Sequence, residues 1–135
     1  MAEALFRHLA GDRYESLSAG VSPAGFVHPL VLEVLSESGV ETDGLSSKHI
    51  LDYRPPAASP APHLIISLCD YAEEQCPDFP SETGRVHWPV HDPYTVRGSP
   101  SRKLAAFRAT RDIILERLEK ALASDEIEAV LRAVR

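Results

Sequence analysis

The apolar positions change period along the chain, and the changes mark out its elements. Over residues 1–10, Met1, Leu5 and Leu9 recur at helical spacing, and Gly11 with Asp12 ends the helix they predict. Residues 14–19, Tyr-Glu-Ser-Leu-Ser-Ala, predict a weak strand that stops at Gly20. Pro29 suits the first turn of a second helix over 28–38. Leu30 with Val34 and Val31 with Leu35 form its apolar stripe, and Gly39 is a fitting stop. A short helix is expected near 47–53, and the prolines at 55, 56, 60 and 62 predict a stiff loop.

Leu64 to Leu68 is a nearly unbroken apolar run, the pattern of a strand covered on both faces. Cys69 ends it, and Asp70 is placed to cap a helix over 70–76 that Pro77 stops or bends. Residues 85–90 alternate, with Val86, Trp88 and Val90 on one side, and Pro89 confines them to an outer strand. A long helix is expected over 101–123, its Leu104, Phe107, Ile114, Leu118 and Leu122 facing the core. Ser124 and Asp125, with Glu128 three beyond Asp125, suit the cap of a last helix over 125–134. The order α-β-α-β-α-β-α predicts one α/β domain over residues 1–135, a parallel sheet with helices on both faces. It opens on a helix where such a fold normally opens on a strand.

Composition narrows the function classes. An apolar content of 44% and a charged content of 25% are those of an ordinary soluble domain. A net charge of −6 gives no general attraction to nucleic acid or anionic lipid. No apolar run approaches the roughly 20 residues that span a membrane. Glu3, Arg7 and His8 interrupt the apolar pattern of residues 1–10, so no signal peptide is expected there. Two cysteines without such a signal point to the cytoplasm.

Those cysteines are the first candidates for chemistry. Cys69 lies at the carboxyl end of an expected strand, where α/β sheets gather reactive groups. The competing explanation is that Cys69 and Cys76 are two small buried hydrophobes. If residues 70–76 are helical, the pair is about 10 Å apart along the axis. A disulfide needs Cα atoms within about 7 Å, so the two bridge only if the helix unwinds. Asp92, before Pro93 and near Trp88, suits a general acid if partly desolvated, or a purely structural Asp-Pro turn. The histidines at 8, 28, 49, 63, 87 and 91 lack paired zinc-site spacing. No Gly-rich phosphate loop or Gly-x-Ser-x-Gly elbow is present. Arg97, Arg102, Lys103, Arg108 and Arg111 read as a solvated helix face.

Several fragments, in order, resemble one family: Met-Ala-Glu-Ala-Leu (1–5), Ser-Ala-Gly (18–20), His-Pro-Leu-Val-Leu (28–32), Leu-Ser-Ser-Lys (45–48) and Leu-Ile-Ile-Ser-Leu-Cys (64–69). Cys-x6-Cys-Pro (69–77), His-Trp (87–88), Asp-Pro (92–93) and Phe-Arg-x-x-Arg-Asp-Ile (107–113) continue the series. Together they are similar to the thioredoxin-coupled arsenate reductases, which share the fold of low-molecular-weight protein tyrosine phosphatases. The resemblance covers about residues 1–122 and leaves 124–135 as an extra C-terminal helix. It implies a three-layer fold in which an N-terminal strand leads into a Cys-x5-Arg-Ser loop that cradles the oxyanion, and whose cysteine attacks arsenate. It further implies that Cys69 attacks that first cysteine and releases arsenite. Cys76 then resolves the bond, leaving a Cys69–Cys76 disulfide for thioredoxin, and Asp92 is the general acid. No cofactor and no metal is implied.

In the family the loop immediately precedes the Met-Ala-Glu-Ala-Leu segment, at whose methionine this chain opens. The loop and the first strand are therefore expected to be missing, and the chain to be inactive alone. Three readings follow: an arsenate reductase whose chain starts at an internal methionine; a truncated, non-catalytic homologue keeping a redox or arsenite-binding dithiol; or a low-molecular-weight tyrosine phosphatase, which has no need of Cys69 or Cys76. His91 stands where relatives often carry a second acidic residue. The missing strand would lie between 14–19 and 64–68, so a self-associating chain is expected, with residues 1–20 and the edge of 64–68 in the interface.

Overall fold

The structure, a computed structural model, describes residues 1–134. Helix α1 (Ala2–Ala10) buries Glu3, Ala4, Leu5 and Ala10. Helix α2 (Pro29–Glu37) starts at His28, whose Nδ1 accepts from the Leu30 amide at 3.0 Å, and buries Val31, Val34 and Leu35. It ends where Gly39 takes a φ of +69°, a left-handed turn that side chains rarely adopt. Strand β1 (Leu64–Ser67) is followed directly by α3 (Asp70–Gln75), and strand β2 (Gly84–His87) comes next. Helices α4 (Pro100–Ala123) and α5 (Glu126–Ala133) complete the chain.

Helix α4 is the element around which the core is built, and it packs against α1, α2 and α5. Its buried residues Phe107, Thr110, Ile114, Leu118 and Ala121 recur at spacings of three, four, four and three, one stripe of a 3.6-residue helix. Leu5, Val34, Leu35 and Phe107 are fully buried, each side chain stabilising the fold by about 1.5–3 kcal/mol. Thr110 is tolerated among them because its hydroxyl donates to the Ala106 carbonyl at 3.0 Å. Arg108 and Arg111 are structural: both pair with Glu37, and Arg111 also donates to the Val34 carbonyl at 2.9 Å, satisfying the end of α2.

β1 and β2 pair in parallel, Leu64 opposite Gly84 through Ser67 opposite His87. The pairing continues past the strands, with the Trp88 amide donating to Ser67 O at 2.9 Å and the Val90 amide to Leu68 O at 2.7 Å. His63 and Ser67 thus turn their carbonyls to β2, and by strand alternation Leu64 and Ile66 turn theirs to the other edge. No described strand pairs with that edge. On the β2 side, a Cβ on Gly84 would lie 3.0 Å from Val130, so the glycine lets α5 approach the strand. Trp88 is only 8% exposed, and the Arg117 guanidinium sits 4.0 Å above its ring while pairing with Glu126 of α5 at 3.0 Å. This seam joins sheet to helices.

The expected α/β class and parallel pairing are borne out, with several corrections. Residues 14–19 form no strand, and pairing there is one parallel bridge, Gly20 to His49. The serines instead bind α1: Ser16 donates to the Glu3 carbonyl at 2.9 Å, and Ser18 and Lys48 hold the Glu3 carboxylate at 2.8 and 3.0 Å. The helix expected near 47–53 is a 3-10 turn, Ile50–Tyr53. The outer strand is Gly84–His87, shorter than the expected 85–90, and Pro89 sits where its missing amide faces away from β1, between the bonded amides of Trp88 and Val90. Leu64, Ile65 and Ile66 are only half-buried, so β1 is not covered on both faces. On α4, Leu104 and Leu122 pack only partly, while Thr110 and Ala121 lie deeper. The cap of α5 comes from Ser124, whose Oγ accepts from the Glu126 amide at 3.3 Å, and not from Asp125.

Candidate active site

Cys69 and Cys76 bracket α3. Cys69 keeps the extended backbone of the strand (φ −132°, ψ 153°), and Asp70 begins the helix. The cap expected of Asp70 is made by Cys69, whose Sγ accepts from the Ala72 amide at 3.3 Å. Asp70 is left with its carboxylate free to face β2. Cys76 leaves the helix at φ −62°, ψ 126°, a conformation that the following Pro77 favours. Both thiols are free, Cys69 exposed and Cys76 half-buried. The six helical residues between them keep the two about 10 Å apart along the axis, beyond the reach of a disulfide. A Cys69–Cys76 bond therefore requires α3 to unwind and the Ala72–Cys69 hydrogen bond to break.

α3 buries no residue and is held mainly by polar contacts. His87, the last residue of β2, places Nε2 2.9 Å from the Asp70 carboxylate and Nδ1 2.8 Å from Ser67 Oγ. The Ser67 hydroxyl also donates to Glu73, which lies 3.7 Å from Arg85. The bond to Asp70 is the main cause holding the His87 pKa above the ordinary imidazole value. Sequence reasoning gave His87 no part in the site. Its signal was register: it stands opposite Ser67 in the ladder, two residues before Cys69.

Asp92 leaves the sheet at the same end as Cys69, since Val90 is bonded to Leu68. It is exposed, and its Oδ1 accepts from the Tyr94 amide at 2.9 Å, capping a 3-10 turn, Pro93–Thr95. The turn is fixed from below by Tyr94, whose ring meets His28 edge-on at 4.9 Å and Phe107 at 5.4 Å. Burial raises the Tyr94 pKa. The partial desolvation that would suit Asp92 to acid catalysis is not present in this arrangement, and its turn-capping geometry is. The structure thus brings Cys69, Cys76 and His87 together around one short helix, with Asp92 at the same end of the sheet and bonded to none of them.

Residues 1–132 match the family described as low molecular weight phosphotyrosine protein phosphatase, a span that includes most of α5. The arsenate reductase of Halalkalibacterium halodurans is 33% identical over 119 residues, 88% of this chain and 82% of that protein. Among solved structures, the arsenate reductase from Archaeoglobus fulgidus superposes with a TM-score of 0.67 at 24% identity, over 91% of this chain and 88% of that one. The thioredoxin-dependent arsenate reductase of Corynebacterium glutamicum gives a TM-score of 0.56 at 26% identity, over 89% of this chain and 55% of that one.

Proposed function

The chain belongs to the low molecular weight phosphotyrosine protein phosphatase family, and from that premise we propose that it carries the thiol–disulfide half of arsenate reduction. The observation that carries this reading is the pair of free thiols bracketing α3 at the carboxyl end of β1. The exchange runs as follows. Arsenate is first bound through a cysteine of an oxyanion-binding loop. The Cys69 thiolate attacks that cysteine's sulfur, a disulfide forms, and two electrons pass to arsenic, which leaves as arsenite. The Cys76 thiolate then attacks Cys69, expelling the first cysteine as a thiolate and leaving the Cys69–Cys76 disulfide. A thioredoxin-class dithiol returns two electrons and two protons. An acid at this end of the sheet, where Asp92 stands, must deliver the proton that an arsenate oxygen needs to leave as water.

These 135 residues hold two cysteines and no Cys-x5-Arg. The attacking thiol and the oxyanion cradle must therefore come from outside them, and the 135 residues alone are expected to give no arsenate turnover with thioredoxin, thioredoxin reductase and NADPH. The unpaired edge of β1 fits the same reading, because a sheet edge with free amides and carbonyls accepts a further strand. A second copy covering that edge makes the chain self-associate, and a stable monomer at micromolar concentration in light scattering would exclude this.

The dithiol is tested directly. After mild diamide oxidation, mass spectrometry should find an intramolecular Cys69–Cys76 bond, and circular dichroism a loss of helix. Thioredoxin with thioredoxin reductase should reverse both with consumption of NADPH. Cys69→Ser and Cys76→Ser should each abolish the bond. An oxidised chain of unchanged helicity, or one that only cross-links between molecules, would refute the exchange.

A further inference from the structure

The cluster around His87 has no part in that exchange, yet it fastens the helix that the exchange must unwind. From β1, His87 meets the Ser67 hydroxyl at 2.8 Å and the Ser67 carbonyl at 3.2 Å. From α3 it meets Asp70 at 2.9 Å, and Glu73 takes the Ser67 hydroxyl proton. Arg85, on its own strand, stands 3.7 Å from Glu73. Two points in the first turn of α3, Asp70 and Glu73, are thus tied to the ends of both strands.

Counting donors shows which form of the ring this arrangement needs. A protonated imidazole donates from both nitrogens, Nε2 to the Asp70 carboxylate and Nδ1 to Ser67. The Ser67 hydroxyl is then free to donate to Glu73 in preference to the more distant Val86 carbonyl at 3.4 Å, and the contacts of His87, Ser67 and Glu73 each have one donor and one acceptor. A neutral ring cannot meet all of them. With its proton on Nδ1, a lone pair faces the Asp70 carboxylate. With its proton on Nε2, a lone pair faces the Ser67 carbonyl and competes with Glu73 for the single Ser67 proton.

We infer that His87 is a positioning residue whose protonated ring latches α3 in its wound, dithiol form, so that loss of the proton favours the unwound Cys69–Cys76 disulfide. This rests on the proposed exchange. The raised pKa of His87, set mainly by Asp70, agrees with the donor count. The sign follows: the latch holds fully below the ordinary histidine value of 6.5 and is lost as pH rises through the raised value.

Glutathione disulfide provides a balanced test. Closing the Cys69–Cys76 bond passes two electrons to glutathione disulfide, and the two thiol protons go to two molecules of glutathione. Below the thiol range of about 8.5, the exchange releases no net proton of its own. Any pH dependence of its equilibrium constant therefore belongs to another group. For the chain equilibrated in glutathione buffers from about pH 5.5 to about 8, the constant for closure should rise several-fold, with a ceiling of about tenfold per unit of His87 pKa shift. His87→Gln should flatten the profile, and Asp70→Asn should shrink the step. A pH-independent constant in the wild-type chain, or a full step retained in His87→Gln, overturns the inference and leaves the exchange intact. Absence of the disulfide at every pH overturns both. The wild-type chain also decides the matter alone, because NMR titration of the His87 ring should give a higher pKa in the dithiol form than in the disulfide form. Equal values would refute the latch.

Discussion

The helical part of the molecule and the sheet end are held by different forces. Around α4, the side chains of Leu5, Val34, Leu35 and Phe107 are completely enclosed, and the polar groups that enter come with partners: Thr110 and Arg111 on backbone carbonyls, and Glu3 of α1 on Ser18 and Lys48. At the sheet end β1 is half-covered, α3 buries nothing, and the contacts are carboxylates, an imidazole and a hydroxyl. Apolar packing is non-directional and is lost in proportion to the area exposed, whereas a hydrogen bond can be exchanged for one to water at small net cost. A helix that must melt during its chemistry is therefore better fastened by polar groups than by a core. The thiols lie where rearrangement costs least.

The contrast can be broken from the helical side first. Phe107→Ala removes a fully buried ring from the N-terminal half of α4 and should destabilise the chain by about 3–5 kcal/mol in urea unfolding. A loss below about 1 kcal/mol would mean that the α4 core does not dominate. The seam comes next. Gly84→Val forces a side chain against Val130 and Leu64, and should cost about 1–3 kcal/mol by the same measurement.

A smaller effect is expected from acid. The Glu126 carboxyl is held below its ordinary pKa chiefly by its hydrogen bonds from Arg117. The stability this contributes is present above the ordinary value of 4.5 and is lost as pH falls through the depressed value. About one third of both side chains is exposed, so screening holds the effect under about 1 kcal/mol. Glu126→Gln should remove this part of the pH dependence of the unfolding midpoint. The smallest effect sharpens the contrast. Cys69→Ser and Cys76→Ser should each shift the unfolding free energy of the reduced chain by no more than about 0.5 kcal/mol, although each abolishes the disulfide.

The same division governs what the sequence discloses. The helices are legible because burial writes a 3.6-residue period into their residues, as the Pro29 start and the Leu118 and Ile114 stripe of α4 illustrate. Strand identity is less local. Residues 14–19 read as a weak strand, but a strand exists only beside a partner, and Ser16 and Ser18 bind α1 instead. The thiols and their spacing around a helix are visible in one stretch of chain. The capping by Cys69 was missed because a carboxylate beside it is the commoner cap. His87 was missed for a different reason: its role depends on standing opposite Ser67, and register is not written in either strand alone.

Trp88 is the chain's only tryptophan, enclosed beneath the Arg117 guanidinium at the point where β2 meets α4 and α5. Its fluorescence is therefore a single-site optical gauge of the seam. Separating sheet from helices replaces the guanidinium 4.0 Å above the indole with water and should change colour and intensity together. Melting of α3 breaks no direct contact of the Trp88–Arg117 stack and should change this signal less. One chromophore, without labels, thus distinguishes a protein changing its redox state from a protein coming apart.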